Sequence, residues 1–172
     1  MCLVEESAAK VDELFVFVVE EDKSFFTFSE RFELVKRGTK DLKNVTVLPS
    51  GKFIISQRTF EAYSNKASLQ EEVIDASLDV EIFGKNIAPE LGINVRFAGE
   101  EPLDNVTRQY NDTMRRMLPR YGISFEVIPR KEWNGSVISA SRVRSLLEKR
   151  NFKEIREIVP ETTYEYLLEK FR

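Results

Sequence analysis

The chain has 172 residues, 42% of them hydrophobic and 32% charged, with 26 basic against 29 acidic side chains and a formal net charge of -3. That length suffices for one substantial core, and the composition is that of an ordinary soluble globular protein, read as a single domain over 1–172. Both signs of charge are interspersed without a basic stripe, which argues against nucleic acid as a partner. No apolar run approaches the ~20 residues that cross a bilayer, and the start lacks a signal-peptide pattern, so no membrane is expected. One cysteine, Cys2, excludes an internal disulfide and suits a reducing, cytoplasmic compartment. Histidine is absent altogether, which removes imidazole acid–base catalysis, a Ser-His-Asp triad and histidine metal sites together.

Residues 1–10 read as the remainder of a helix, with Leu3, Val4 and Ala8 apolar. The uninterrupted run Leu14-Phe15-Val16-Phe17-Val18-Val19 is expected of a parallel strand covered on both faces. It ends abruptly in Glu20-Glu21-Asp22-Lys23. Thr27 with Glu30 fits a capping box, and Phe28, Phe32 and Val35 follow at helical spacing until Gly38, which is expected to stop the helix. Val45 to Leu48 is a second strand closed by the turn residues Pro49-Ser50-Gly51. Residues 52–67 are ambiguous, with Phe53-Ile54-Ile55 read as strand or packed loop.

From Leu69 onward, Val73, Val80 and Ile87 repeat at heptad spacing. This predicts a helix over roughly 68–91 despite Gly84 and Pro89, with a strand at Val80 to Phe83 as the alternative. Val95 to Ala98 is a third strand, emptying into Gly99-Glu100-Glu101-Pro102. Thr107 to Leu118 is helical, Gly122 breaks the chain, and Phe125 to Ile128 is the fourth strand. A turn follows at Asn134-Gly135. Val143, Leu146 and Leu147 then share one helical face. Phe152, Ile155 and Val159 mark a further helix ended by Pro160, and Tyr164, Leu167, Leu168 and Phe171 mark the last. Strands alternating with helices imply an α/β fold built on a doubly wound parallel sheet.

In such sheets ligands bind outside the carboxyl ends of the strands. Lys23, Gly99, Glu100, Glu101 and the helix start Ser139–Arg144 all follow strands, so they are expected to gather at one edge. A helix start presents unpaired N–H groups and partial positive charge, and Ser139, Ser141 and Arg144 placed there make a site for phosphate oxygens. A single serine at such a position is more often a plain cap. Arg142 points about 100° away from Ser141 on an ideal helix and ranks below Arg144.

The string ISASRVR (138–144) resembles the ISSTxxR signature of the HxGH nucleotidylyltransferases, with Ala140 and Ser141 replacing its second serine and its threonine. Further stretches resemble one family more closely: VVEEDKSFFTFSERFELVK (18–36), NVTVLPSGKFIIS (44–56), IFGKNIAPELGI (82–93), RFAGEEP (96–102) and VPETTYEYL (159–167). Together they look like the nucleotidylyltransferase domain of the citrate (pro-3S)-lyase ligase family, over almost the whole chain and in order. The resemblance implies a Rossmann-like fold and an ATP- and Mg²⁺-dependent ligase that activates acetate as acetyl-adenylate. The acetyl group then passes to the prosthetic-group thiol on the acyl carrier subunit of citrate lyase. It places Ser139, Ser141, Arg144 and Gly99 at the ATP phosphates, and Lys23 toward the phosphorylated or acidic substrate, against the alternative of a solvated lysine. Glu100 and Glu101 would repel a triphosphate unless a cation intervenes or they face the ribose; capping and solvation are the other readings. Arg31 either reaches the pocket or joins an exposed charge pair on its own helix. Trp133 shapes the loop before the motif or stacks on adenine.

The family pattern also has an HxGH loop after its first strand, whereas this chain has no histidine and its start aligns with the following helix. The first strand, the phosphate loop and a preceding acetyltransferase-like domain are therefore expected to be absent, with Met1 reflecting either a truncated reading frame or an artificial boundary within a longer chain. Loss of a mid-sheet strand predicts a gap or altered pairing in the sheet, since unpaired buried backbone groups cost ~1–3 kcal/mol each. It also predicts marginal stability or complementation by another chain, and inactivity of this chain alone. Two alternatives stand beside the ligase: another adenylyl- or cytidylyltransferase of this fold, and a non-catalytic domain that binds nucleotide or carrier protein.

Overall fold

An apolar run without polar alternation needs cover on both sides, and Leu14–Val18 forms strand β1 under such cover. The structure is a computed structural model that describes residues 2–20, 24–52, 54–55, 75–100 and 104–172. Helix α1 (Cys2–Ala8) precedes β1, and α2 (Phe28–Thr39) leads from it to β2 (Val45–Pro49). Next comes α3, which starts as Ser77–Ile82, widens through a π turn over Phe83–Ile87 and ends as Ala88–Glu90. Strand β3 (Val95–Gly99), helix α4 (Asn105–Met117) with a 3₁₀ turn at Leu118–Tyr121, and β4 (Ser124–Ile128) follow. A small hairpin, β5 (Glu132–Trp133) and β6 (Ser136–Val137), then introduces α5 (Ala140–Glu148), α6 (Phe152–Ile158) and α7 (Glu161–Phe171).

β1 and β2 run parallel with Leu14 opposite Val45 and Val18 opposite Pro49. β3 and β4 run parallel with Val95 opposite Ser124 and Gly99 opposite Ile128. The two pairs are not joined by any ladder among the described residues. The α/β character is as the sequence predicts, with the parallel strands in two separate pairs divided between β1 and β3. A gap is what the sequence leads one to expect, and it shows in the burial: along β1 and β3 only Val18 is fully buried.

Helix α1 ties the pairs together. Leu3 lies beside Gly99 at the carboxyl end of β3, and the carbonyls of Ala8 and Val11 accept from Asn44 Nδ2 (2.8 and 2.9 Å) just before β2. Lys10 Nζ bonds Glu126 of β4 at 2.7 Å. Both pairs therefore point their carboxyl ends the same way.

The larger core lies between α3 and α4 around Val80, Phe83, Val106, Met114 and Leu118. A buried polar chain runs through it. Asp79, fully buried, accepts from the Ile55 N–H (2.6 Å) and from the Tyr110 hydroxyl (2.6 Å), which in turn accepts from Arg96 Nη2 (2.7 Å). Burial first, and the Asp79 carboxylate beside it, push the Tyr110 phenol well above its usual value. The Arg96 guanidinium also lies over the Phe83 ring at 4.1 Å. A second cluster, Leu146, Leu147, Ile155, Ile158 and Leu167, packs α5, α6 and α7 together.

Several boundaries differ from the sequence reading. Gly38 does not stop α2, which runs to Thr39, where the hydroxyl bonds back to the Val35 carbonyl (2.8 Å). The strand alternative at Val80 to Phe83 is helix, and the Leu69–Val73 part of the heptad pattern lies outside the described residues, as do Phe53 and Ser56. Gly84 is required by packing rather than by backbone angle: a Cβ there would sit 2.4 Å from Tyr121 Cδ2 and 2.7 Å from Cγ. Ring atoms held between two elements cannot yield cheaply, so Gly84→Ala is expected to destabilise by about 1–3 kcal/mol in urea denaturation. Tyr110→Phe removes the hydroxyl that both Asp79 and Arg96 use. It is expected to cost about 1–3 kcal/mol by the same measurement.

Candidate functional site

The hairpin before the motif is fixed by two residues with positive φ, Asn134 (51°) and Gly135 (69°), the left-handed pair that closes a two-residue turn. It aims the chain so that Ser139, in extended conformation, caps α5: its Oγ accepts from the Arg142 N–H at 3.2 Å, and lies 2.9 Å from Ser141 Oγ. Val143, Leu146 and Leu147 anchor the opposite face of α5 in the second cluster. Ser139 is half-buried and Ser141 exposed, so the two hydroxyls stand at the surface of the helix start.

The two arginines of the motif do different things. Arg142 donates Nη1 to the Trp133 and Ser136 carbonyls (3.1 and 3.0 Å) and Nη2 to Glu154 (2.7 Å), while its guanidinium covers the Trp133 ring at 5.5 Å. It staples the hairpin to α6. Arg144, half-buried, has no hydrogen bond or ion pair among the described residues. A partly desolvated guanidinium left open one turn into this helix suits a phosphate or carboxylate.

A residue the sequence reading passed over joins this helix start to the neighbouring strand exit. Arg130 Nε donates to the Glu100 carbonyl (2.7 Å) and Nη1 to the Ile138 carbonyl (3.4 Å), so one guanidinium links the loop after β3 to the residue before Ser139. Its sequence signal is a basic residue just past the carboxyl end of β4. Asn111, also missed, donates Nδ2 to the Gly99 carbonyl at 3.2 Å from inside α4, where it is buried. A Cβ on Gly99 would meet only Leu3 Cδ2, at 3.7 Å, so protein packing does not demand glycine there. The Glu100 side chain is exposed.

On the β1 side, Arg31 turns toward backbone carbonyls. Its Nη1 donates to the Val19 carbonyl (2.7 Å) and its Nε to that of Phe26 (3.2 Å), bracing the exit from β1. Phe26 and Ile138 pack against the same cluster, which brings the β1 exit and the motif to one rim. Ser139, Ser141, Arg144, Gly99 and Glu100 thus belong to one neighbourhood and Arg31 supports it from beneath. Lys23 and Glu101 lie outside the described residues.

The brace is held by Glu30. It completes the capping box with Thr27 and also accepts from Lys170 Nζ and the Tyr166 hydroxyl of α7. Those bonds, Lys170 first, hold its carboxyl at about 2 against an ordinary 4.5. Because the folded value is the lower one, the stabilisation is complete above pH 4.5 and is lost as pH falls toward 2. Among the described residues no group of three or more cysteine, aspartate or glutamate side chains gathers to hold a metal, and no helix is long and apolar enough to cross a membrane.

An α/β domain with a serine-capped helix start at the rim of parallel strands fits the nucleotidyltransferase-like class. The chain belongs to the citrate lyase ligase C-terminal domain family, whose model matches residues 1–167. It is 37% identical over 171 residues to the citrate (pro-3S)-lyase ligase of Klebsiella pneumoniae, covering 97% of this chain and 50% of that protein. To the ligase of the same name from Escherichia coli (strain K12) it is 39% identical over 173 residues, covering 96% and 48%. To that of Haemophilus influenzae it is 38% identical over 172 residues, covering 96% and 51%. The chain therefore spans about half the length of the curated relatives it matches.

Glu30→Gln is expected to lower the melting temperature at pH 7, and the difference from the parent should close between pH 4.5 and 2. A gap that persists unchanged at pH 2 in a thermal melt would contradict the assignment.

Proposed function

We propose that this domain, acting as one unit over 1–172, is the nucleotide-binding part of an ATP-dependent ligase of citrate lyase in a reducing cytoplasm. The observation that carries the reading is Arg144, an open, half-buried guanidinium one turn into a helix whose start carries Ser139 and Ser141. In the proposed reaction an acetate oxygen attacks the α-phosphorus of ATP and pyrophosphate leaves, giving acetyl-adenylate. The thiol of the acyl carrier subunit of citrate lyase then attacks the acetyl carbonyl and AMP leaves. Such a reaction needs alignment and charge stabilisation more than covalent help. Ser139, Ser141 and Arg144 would hold phosphate oxygens, and Gly99 would leave room for a ligand to approach the backbone. Lys23 and Glu100 are proposed to flank the substrate side. Mg²⁺ fits as a companion of the phosphates, since it is commonly held by phosphates, water and one or two carboxylates.

The Rossmann-like, doubly wound arrangement belongs to this reading as well: it supplies the rim at which strand exits converge. A second reading, a non-catalytic domain that binds nucleotide or the carrier, has one observation in its favour. The chain contains no histidine, while the related pattern stabilises the phosphates with two.

Isothermal titration with ATP–Mg²⁺ tests both. Binding is expected for the 172-residue chain, and Arg144→Ala is expected to weaken it about 10–100-fold, the loss of a charge-assisted contact. Unchanged affinity in that variant would overturn the site. Acetate-dependent exchange of pyrophosphate into ATP separates the readings, because binding without exchange is the signature of the non-catalytic one.

A further inference from the structure

The link from β4 to the hairpin is Pro129-Arg130-Lys131, and it holds two distant segments in the same manner. Glu100, just past β3, donates its N–H to the Ile128 carbonyl at 2.9 Å, and its own carbonyl accepts from Arg130 Nε at 2.7 Å. Ile138, just before the cap of α5, donates its N–H to the Lys131 carbonyl at 3.0 Å, and its own carbonyl accepts from Arg130 Nη1 at 3.4 Å. Each of these residues is gripped twice, once by main chain flanking Arg130 and once by the Arg130 guanidinium. Because a peptide unit is planar, a bond to the N–H orients the unit that enters a residue, and a bond to the carbonyl orients the one that leaves it. Main chain alone therefore fixes the approach to Glu100 and to Ile138. Arg130 fixes the onward units, one of which leads directly into Ser139.

We propose that Arg130 is a positioning residue of the nucleotide site. It sets the placement of the β3 exit, with Gly99 and Glu100, relative to the start of α5, with Ser139 and Arg144, so that one triphosphate engages both. The inference rests on the nucleotide reading above and adds a residue which that reading does not use. No ladder among the described residues joins the β3–β4 pair to the hairpin, so a side chain has to set the spacing between these two parts of the rim. A guanidinium suits the task, because its planar fork carries donors in fixed mutual geometry and imposes a separation on the two carbonyls, which a single ammonium does not. Both carbonyl oxygens are also committed to a cation, and neither is left to oppose a phosphate. Asn111 and Ile128 already hold the peptide unit between Gly99 and Glu100, through the Gly99 carbonyl (3.2 Å) and the Glu100 N–H. Loss of Arg130 thus loosens the connection between the two segments and leaves the strands in place.

The test places Arg130→Met and Arg130→Lys in the 172-residue chain and reads each in two ways. The first needs no ligand. Amide hydrogen exchange by NMR is expected to quicken about tenfold at Glu100 and Ile138 in Arg130→Met, the worth of one charge-assisted bond. The Ser124 amide, bonded to Asn94 at the far end of the same strand pair, is expected to keep its rate. The second reading is isothermal titration with ATP–Mg²⁺. Arg130→Met is expected to weaken binding about tenfold, and Arg130→Lys nearly as much, since it restores the charge without the fork. In an Arg144→Ala background the Arg130→Met loss is expected to shrink below about twofold, because the contact being positioned is already gone. If Arg130→Met fails to fold in a urea titration, the lysine variant carries both readings. Parent affinity in Arg130→Lys would make the role one of charge and overturn the proposal. Fully additive losses in the double variant would overturn it too, by assigning Arg130 a direct contact with the ligand. So would exchange that quickens equally at Ser124 or stays unchanged at Glu100 and Ile138. If the parent binds ATP, Arg144→Ala weakens it and the Arg130 variants bind like the parent, this assignment alone falls. A parent chain that binds no ATP removes the nucleotide reading itself and this role with it.

Discussion

A parallel strand has two edges, and the polar groups on both must find partners. That requirement governs this domain more than any side-chain contact. β1 satisfies one edge with β2 and β3 one edge with β4. What remains is held by other means: α1 bridges the pairs through Asn44, Lys10 and Leu3, and α3 and α4 pack beneath β3 through the Asp79–Tyr110–Arg96 chain. The division of the sheet and the half-burial of two strongly apolar strands follow from that single fact.

The second cluster solves a different problem. Short helices of seven to eleven residues are not stable alone, so α5, α6 and α7 depend on a shared apolar seam. Phe26 and Ile138 both join that seam. As a result the exit of β1 and the start of α5 are positioned by one packing unit, and the Glu30 and Arg31 contacts lock the former to it. Arg130 performs the corresponding task between the exits of β3 and the hairpin.

Much of this was legible in the residues. The capping box at Thr27–Glu30, the unbroken apolar strand β1, the Asn-Gly turn and the apolar face of α5 each follow from local rules that tertiary contacts did not overrule. Ser139 as a cap follows from its place at the helix start. The failures have physical causes. Gly38 did not end α2 because its propensity is a weak preference, outweighed here by the continuing backbone bonds and the Thr39 hydroxyl. The heptad spacing in α3 gives no warning of a π turn, and Gly84 looks like a helix breaker until the Tyr121 ring is seen against it. Arg130, Asn111 and Arg31 act on backbone carbonyls distant in sequence, and no pattern of residue types encodes such a contact.

Arg142 has one more implication. With its side-chain contacts directed at the hairpin, Trp133 and Glu154, it fixes the orientation of α5 from within the fold. For the anion proposed at Ser139 and Arg144, donors held in place this way would cost little entropy on binding, and the helix would not have to swing inward. Recognition there would be closer to a lock awaiting its key than to a hand closing.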